Sequence, residues 1–134
     1  MERSIAQRLA RSDGDLRQVQ AVREGLPLSV VDEALEAGQL TLAELDRLAL
    51  PRKTLAHRRG LGRLSAEQSD RISRILRIIK AAEETFANRE KAHAWLRRPT
   101  SALAESCPLD LLDTDVGVRR VEMLLGRIAH GIAA

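Results

Sequence analysis

The residues in this chain that could carry out chemistry are few and scattered. His57, His93 and His130 lie far apart, and none sits in a metal-ligand spacing such as His-Glu-x-x-His. The single cysteine, Cys107, stands between Ser106 and Pro108 in an expected turn, with nothing beside it to mark a base or an oxyanion hole, so it reads as a spacer. Glu105, Asp110, Asp113 and Asp115 crowd together as ligands of a divalent cation would. They lack the glycine and terminal glutamate of a calcium loop. Asp113 and Asp115 also fall at the expected start of a helix, where acidic side chains complement the helix dipole. Gly60-Leu61-Gly62 follows no strand and precedes no Gly-Lys-Ser/Thr, which makes it a helix stop rather than a phosphate loop. The chain is therefore expected to be no enzyme, with no metal and no cofactor.

Charge gives a different signal. The formal net charge is only +3, but Thr41 to Ser65 holds six basic residues (Arg47, Arg52, Lys53, Arg58, Arg59, Arg63) against two acidic ones (Glu44, Asp46). A local excess of this kind favours a polyanionic partner.

The elements that must carry these residues are helical. With aromatic residues at 1% the core has to be built from Leu, Ile, Val and Ala, and no period-2 pattern of useful length is present, so the fold class is all-α. Met1 to about Gly14 is polar and alternates in charge, as a disordered lead or a weak helix would, and is given no function. Leu16, Val19 and Val22 predict a helix from Asp15 to Gly25, and Ser29 is placed to cap a second one ending at Gly38. Thr41 and Glu44 have capping-box spacing for a third helix through Leu42, Leu45 and Leu48. Pro51 suits the first position of a fourth, in which Leu55 points inward and Arg52, Lys53, Thr54, His57 and Arg58 outward, with Arg59 beside them. Two short helices joined by a tight turn, the second basic on its outer face, make a helix-turn-helix. The second has the size and charge to enter a DNA major groove.

Ser65 and Gln68 form another capping box, opening the longest helix on the stripe Ile72, Ile75, Leu76, Ile79, Ala82 and Phe86. This is the expected spine between two halves. Ile78 falls outside the stripe and would suit a second buried face in a homodimer as well as burial within the monomer. Beyond it, Asn88 can cap a helix bearing Ala92, Trp95 and Leu96 that Pro99 stops. A short helix near Thr100 or Ser101 carries Leu103. After Pro108 and the apolar turn Leu109, Leu111, Leu112, Thr114 caps a last helix with the stripe Val118, Val121, Leu125, Ile128 and Ile132, and Gly131 lies near its end.

The order of landmarks in this last region, Trp95, Leu96, Pro99, Leu103, Pro108, Leu109, Asp110, Leu111, Leu112, Thr114, Gly117, Val121, Leu124, Leu125, Ile128, His130 and Gly131, resembles the toxin-binding domain shared by Xre, MbcA and ParS-type antitoxins. That family usually has a glycine pair after the leucine matched by Leu103. Here Ala104 and Glu105 stand in those places. Upstream, LPRKTLAHRR followed by GRLSAEQSDRI looks like the DNA-binding half of the same family.

The resemblance implies a type II antitoxin similar to the Xre member of RES–Xre pairs. It would be a homodimer that binds operator DNA with its N-terminal half and neutralises a RES-domain, NAD-consuming toxin with its C-terminal domain. The expected parts are a helix-turn-helix part over 1–64, a connecting helix over 65–87 and a toxin-binding domain over 88–134. Operator contacts fall to Arg52, Lys53, Thr54, His57, Arg58 and Arg59. Trp95, Leu96, Leu111, Leu112, Thr114 and Gly117 would build the toxin platform, and Arg119, Arg120, Arg127, His130 and Gly131 would touch the toxin. The last helix and the tail Gly131 to Ala134 would obstruct its active cleft. No small-molecule substrate and no membrane is expected. With one cysteine, no apolar run near the roughly 20 residues of a membrane span and no apolar signal core at the start, the expected location is cytoplasmic. The rival reading is a stand-alone regulator or partition-type DNA-binding protein whose C-terminal domain only dimerises. A small hydrolase is the third.

Overall fold

Local signals account for most helix boundaries in the computed structural model, which describes residues 5–131, with side chains from residue 14 onward. The helices are α1 (Ile5–Glu24), α2 (Ser29–Glu36), α3 (Leu42–Leu48), α4 (Arg52–Leu61), α5 (Ala66–Phe86), α6 (Arg89–Leu96) and α7 (Asp115–Ala129), with 3-10 turns at Ser101–Leu103 and Pro108–Leu111. Both expected capping boxes form: Thr41 with Glu44 opens α3, and Ser65 with Gln68 opens α5. Asn88 caps α6 by accepting from the Lys91 amide. At Gly38, φ of +71° closes α2, the Gly38 and Gln39 amides donating to the Leu35 and Ala34 carbonyls.

Three local expectations are corrected. The first helix begins at Ile5 rather than Asp15, and Leu16 and Val19 on it are exposed, at 64% and 44%. Ser29 does not cap α2: Leu28 already has helical backbone angles, so Ser29 lies inside the first turn. Pro51 sits one residue before α4, in extended geometry. The free Arg52 amide is capped instead by the Asp46 carboxylate reaching from α3, at 2.8 Å. The expected stop at Gly60-Leu61-Gly62 forms, with Gly60 still inside α4 and Gly62, at φ +78°, ending it.

The spine is α5, against which α1, α6 and α7 all pack. Its Ile72, Ile75, Ile78, Ile79 and Ala82 are all buried. Ile78 is fully buried within the monomer, so it supplies no spare face for a second copy. Ser69 is the one buried polar residue of the core among the described residues, and its hydroxyl accepts from the Leu26 amide at 2.8 Å. That bond anchors the segment after α1, which also pairs with the segment before α5: the Leu64 amide donates to Leu26, and Arg63 Nη1 to the Gly25 carbonyl. Gly25 is required there, since a Cβ would lie 2.3 Å from the Leu64 carbonyl oxygen.

On the other side of α5, Trp95 is buried against Phe86, with ring centroids 5.5 Å apart and planes tilted by 46°. It shares this core with Leu96, Leu103, Leu109 and Leu112 and with Val118, Val121, Leu124 and Leu125 of α7. Ile128 is half-buried, and Ile132 lies outside the described residues. Trp95→Ala should lower folding stability by about 3–5 kcal/mol in denaturant titration, the range for truncating a buried large aromatic residue.

Candidate functional site

The basic helix α4 is held from behind. Leu55 is buried, Asp46 caps the N-terminus, and Arg71 of α5 donates to the Ala49 carbonyl in the α3–α4 turn at 3.1 Å. Held this way, α4 presents Arg52, Lys53 and His57 exposed to solvent, with Thr54 and Arg58 half-buried. Arg59 is exposed but engaged, its guanidinium 2.8 Å from Asp32. That hydrogen bond raises its pKa further above the ordinary arginine value. Arg52 and Lys53, which have no salt bridge among the described residues, thus sit in the first turn of the helix, where a recognition helix meets DNA.

The C-terminal surface is built by a tight turn. Thr114 caps α7, its hydroxyl accepting from the Gly117 amide at 3.0 Å. Gly117 is buried because α7 crosses directly over the second 3-10 turn: a Cβ would lie 1.7 Å from the Leu111 carbonyl oxygen. Of the residues expected to meet the toxin, Trp95, Leu96, Leu112 and Gly117 are buried, so any part they have is to shape the platform. Leu111 is half-buried, and Thr114, Arg119, Arg120, Arg127, His130 and Gly131 are exposed. Arg119 pairs with Asp115 at 3.2 Å, and His130 Nδ1 donates to the Gly126 carbonyl at 2.8 Å. Arg120 and Arg127 have no salt bridge among the described residues.

Sequence reasoning missed Val116 and Met123, each 65% exposed. The positions 116, 120, 123 and 127 share one face of α7, so two apolar side chains alternate with two arginines on its outer side. A helical wheel drawn for the polar face, rather than for the buried stripe, would have found them.

Ala104 and Glu105 occupy the turn where a glycine pair was the expected pattern, and both adopt left-handed backbone, at φ +55° and +65°. The turn forms regardless because it is closed by hydrogen bonds: Thr100 and Ser106 bridge backbone to backbone, and the Glu105 amide donates to the Thr100 carbonyl at 3.0 Å.

A polar seam joins the two surfaces. Arg97, just past α6, donates through Nε and Nη2 to the two carboxylate oxygens of Glu44 on α3, each at 2.9 Å, and through Nη2 to the Gln39 carbonyl at 3.1 Å. His93 fits between, Nε2 on Glu83 at 2.7 Å and Nδ1 on Arg97 Nη1 at 3.2 Å. Arg47 of α3 meets Asp110 of the second 3-10 turn at 2.7 Å, and Arg89 of α6 donates to the Ala37 carbonyl ending α2. Burial alone would raise the Glu44 carboxyl. Hydrogen bonds from Arg97 and Thr41, with the attraction of the guanidinium, outweigh burial and hold it below its ordinary range. Its folded value is thus the lower one. The stabilisation is complete above the unfolded value and is lost as pH falls through the folded one.

Cys107 and Asp110 line this seam and Asp115 opens α7. Among the described residues no three His, Cys, Asp or Glu side chains gather where they could hold a metal ion, and no helix is long and apolar enough to cross a membrane.

A basic helix-turn-helix joined through a helical spine to a second helical module defines a DNA-binding regulator with a separate protein-docking end. Comparison with known proteins gives the family. Residues 17–77 match the antitoxin Xre-like helix-turn-helix domain, and residues 81–131 match the antitoxin Xre/MbcA/ParS C-terminal toxin-binding domain. Antitoxin Xre of Photorhabdus laumondii is 34% identical over 116 residues, covering 84% of this chain and 78% of that protein. Antitoxin Xre of Yersinia enterocolitica is 32% identical over 117 residues, 85% of this chain and 79% of that protein. Antitoxin Xre of Pseudomonas putida is 32% identical over 111 residues, 82% and 69%. The chain belongs to the Xre antitoxin family, a regulatory and non-enzymatic family, and carries its helix-turn-helix and its toxin-binding domain.

Left-handed backbone at a non-glycine residue costs about 1–2 kcal/mol. Replacing both, with Ala104→Gly and Glu105→Gly, removes about 2–4 kcal/mol of strain, of which glycine's greater loss of conformational freedom takes back about half, so stability should rise by about 1–2 kcal/mol in chemical unfolding. A drop would show that the two side chains contribute more than their backbone strain.

Proposed function

We propose that this antitoxin neutralises a RES-domain, NAD-consuming toxin and represses its own operon by binding operator DNA, acting as a cytoplasmic homodimer. The observation that carries the reading is that the chain leaves two chemically distinct surfaces unpartnered on opposite modules. One is the cationic first turn of α4. The other is the mixed apolar and arginine face of α7. The first suits a phosphate backbone, with Arg52 and Lys53 on phosphates and Thr54, His57 and Arg58 nearer base edges. The second suits a protein surface, where exposed apolar anchors flanked by arginine are the usual composition.

The division into a DNA-binding part over 1–64, a connecting helix over 65–87 and a toxin-binding domain over 88–134 belongs to the same reading. Support for a homodimer comes from α1, whose Leu16 and Val19 stay exposed, Val19 lining a groove of about 880 Å³ between α1 and α5. The blocking role rests on Arg119 and Arg120 near the start of α7 and on Arg127 and His130 at its C-terminal end, with the tail after it. Residues 132–134 of that tail lie outside the described residues.

Two experiments test this. Arg52→Ala combined with Lys53→Ala should weaken binding to the DNA upstream of the gene and reduce the slope of log affinity against log salt by about 2, roughly one per lost phosphate contact. An unaltered slope would put the DNA surface elsewhere. Deleting Gly131 to Ala134 should reduce inhibition of the toxin encoded beside the gene while leaving the complex able to form. Full inhibition by the truncated protein would show that the tail does not obstruct the toxin.

A further inference from the structure

The two glycines of α7 stand in opposite surroundings. Gly117 is fixed by its neighbours, because a Cβ there would meet the Leu111 carbonyl oxygen at 1.7 Å. Gly126 is exposed, and among the described residues nothing beyond its own helix backbone and chain neighbours lies within 4 Å of where a Cβ would sit. It lies inside the helix and not at a left-handed position. Alanine would fit there without strain and hold the helix better, since glycine loses more conformational freedom on folding than any other residue. The fold of the single chain therefore gives no reason for glycine at 126.

The residues around Gly126 point to what needs the space. At about 100° per residue, Met123 stands at the outer crest of α7, with Gly126 about 60° to one side and Arg127 and Arg120 about 40° and 60° to the other. Met123 and Val116, each 65% exposed, are the large apolar residues that α7 leaves in water. Arg120 and Arg127 make no salt bridge among the described residues, and with Ala102, Leu103, Met123 and Leu124 they border a shallow dip of about 40 Å³. On the Gly126 side the charges are matched: Arg119 pairs with Asp115 at 3.2 Å and Glu122 with Arg77 at 3.8 Å. The uncompensated positive charge thus lies on one side of the apolar crest and the bare backbone on the other. Such a face complements an apolar segment with carboxylates along one edge.

We propose that the toxin lays one element across the outer face of α7, with its main chain against Gly126, an apolar side chain on Met123 and carboxylates on Arg120 and Arg127. A side chain at position 126 would hold that element away from Met123 and from the arginines beyond it. The bare turn therefore sets how closely the two proteins meet. This rests on the function proposed above. It adds where on α7 the toxin sits, and the charge and shape of the surface it brings.

Calorimetric titration of the full chain with the toxin encoded beside its gene tests this, together with thermal unfolding of the chain alone. Gly126→Ala should raise the unfolding midpoint and yet weaken the complex by about tenfold, the effect of a small misfit at a packed contact. Opposite changes in the two readouts separate a lost contact from a damaged fold. Arg120→Gln with Arg127→Gln should weaken the complex at low salt and flatten its salt dependence, because exposed charge pairs are screened by ions. A Gly126→Ala complex within about twofold of the unaltered one overturns the placement. So does a midpoint that falls, or a salt dependence that the two glutamines leave untouched. Met123→Glu also overturns it if that change dissociates a dimer of the chain alone, since the face would then belong to a second copy. An unaltered chain that does not bind the toxin overturns the proposed function itself.

Discussion

With one tryptophan, one phenylalanine and no tyrosine, this chain has to fill its interior with aliphatic side chains, and that constraint makes α5 the centre of the fold. Aliphatic residues bury less surface each than aromatic ones, so many must be enclosed to offset the entropy of ordering the chain. On α5 they are enclosed on nearly every side: Ile72, Ile75, Ile78, Ile79 and Ala82 are each within 1% of complete burial. A helix buried that widely needs neighbours on several faces. Here they are α1 on one side and α6 with α7 on the other. The single large aromatic pair, Trp95 on Phe86, sits where α5 ends and α6 folds back. The two functional modules are therefore two coats on one helix, and neither has a core that excludes α5.

That shared spine explains why the arginines along the seam matter for orientation more than for stability. Half-exposed ion pairs contribute about 0–1 kcal/mol each, far less than the aliphatic core. A forked guanidinium is directional, however: Arg97 can satisfy both Glu44 oxygens and the Gln39 carbonyl in only one placement of α3 relative to α6. Apolar packing on α5 brings the helix-turn-helix close to the C-terminal module. The polar fork then selects which way α3 faces, and through Asp46 where α4 begins.

Signals that act within one turn of chain were legible in the sequence. The Thr41 and Ser65 capping boxes, the Asn88 and Thr114 caps and the Gly38 stop each depend on residues three or four positions apart, and each forms. Signals that depend on distant partners were not. Nothing local says that Ser69 will accept from Leu26 across 43 residues, or that Arg97 will reach Glu44 across 53. The misplaced caps have the same origin: Asp46 caps α4 from the preceding helix, and pairing of the Leu26–Leu28 segment with Gly62–Leu64 sets where α2 starts. Ile78 looked like a spare face because a single stripe was assumed, whereas α5 is covered on more than one side. Of the candidate sites, the outward cations of α4 could be read directly, since one inward leucine fixes the face. The apolar members of the α7 surface were legible by the same logic but overlooked: Val116 and Met123 fall off the Val118, Val121 and Leu125 stripe and on the face of Arg120 and Arg127.

The turn at Ala104 and Glu105 shows how a family pattern and a local sequence can disagree without the structure changing. Glycine is favoured at left-handed positions because it has no Cβ to clash, not because the fold depends on glycine itself. What the fold depends on is the hairpin-like closure between Thr100 and Ser106, which delivers Leu103 into the core beside Trp95 and then lets Pro108 start the turn under α7. Burying Leu103 and closing those backbone bonds outweighs a strain of about 1–2 kcal/mol per residue. Both strained side chains are exposed, so the substitution adds no clash in the interior. The geometry that presents α7 is thus set by what is buried beneath it, and the exposed residues on the turn are free to vary at a modest cost in stability.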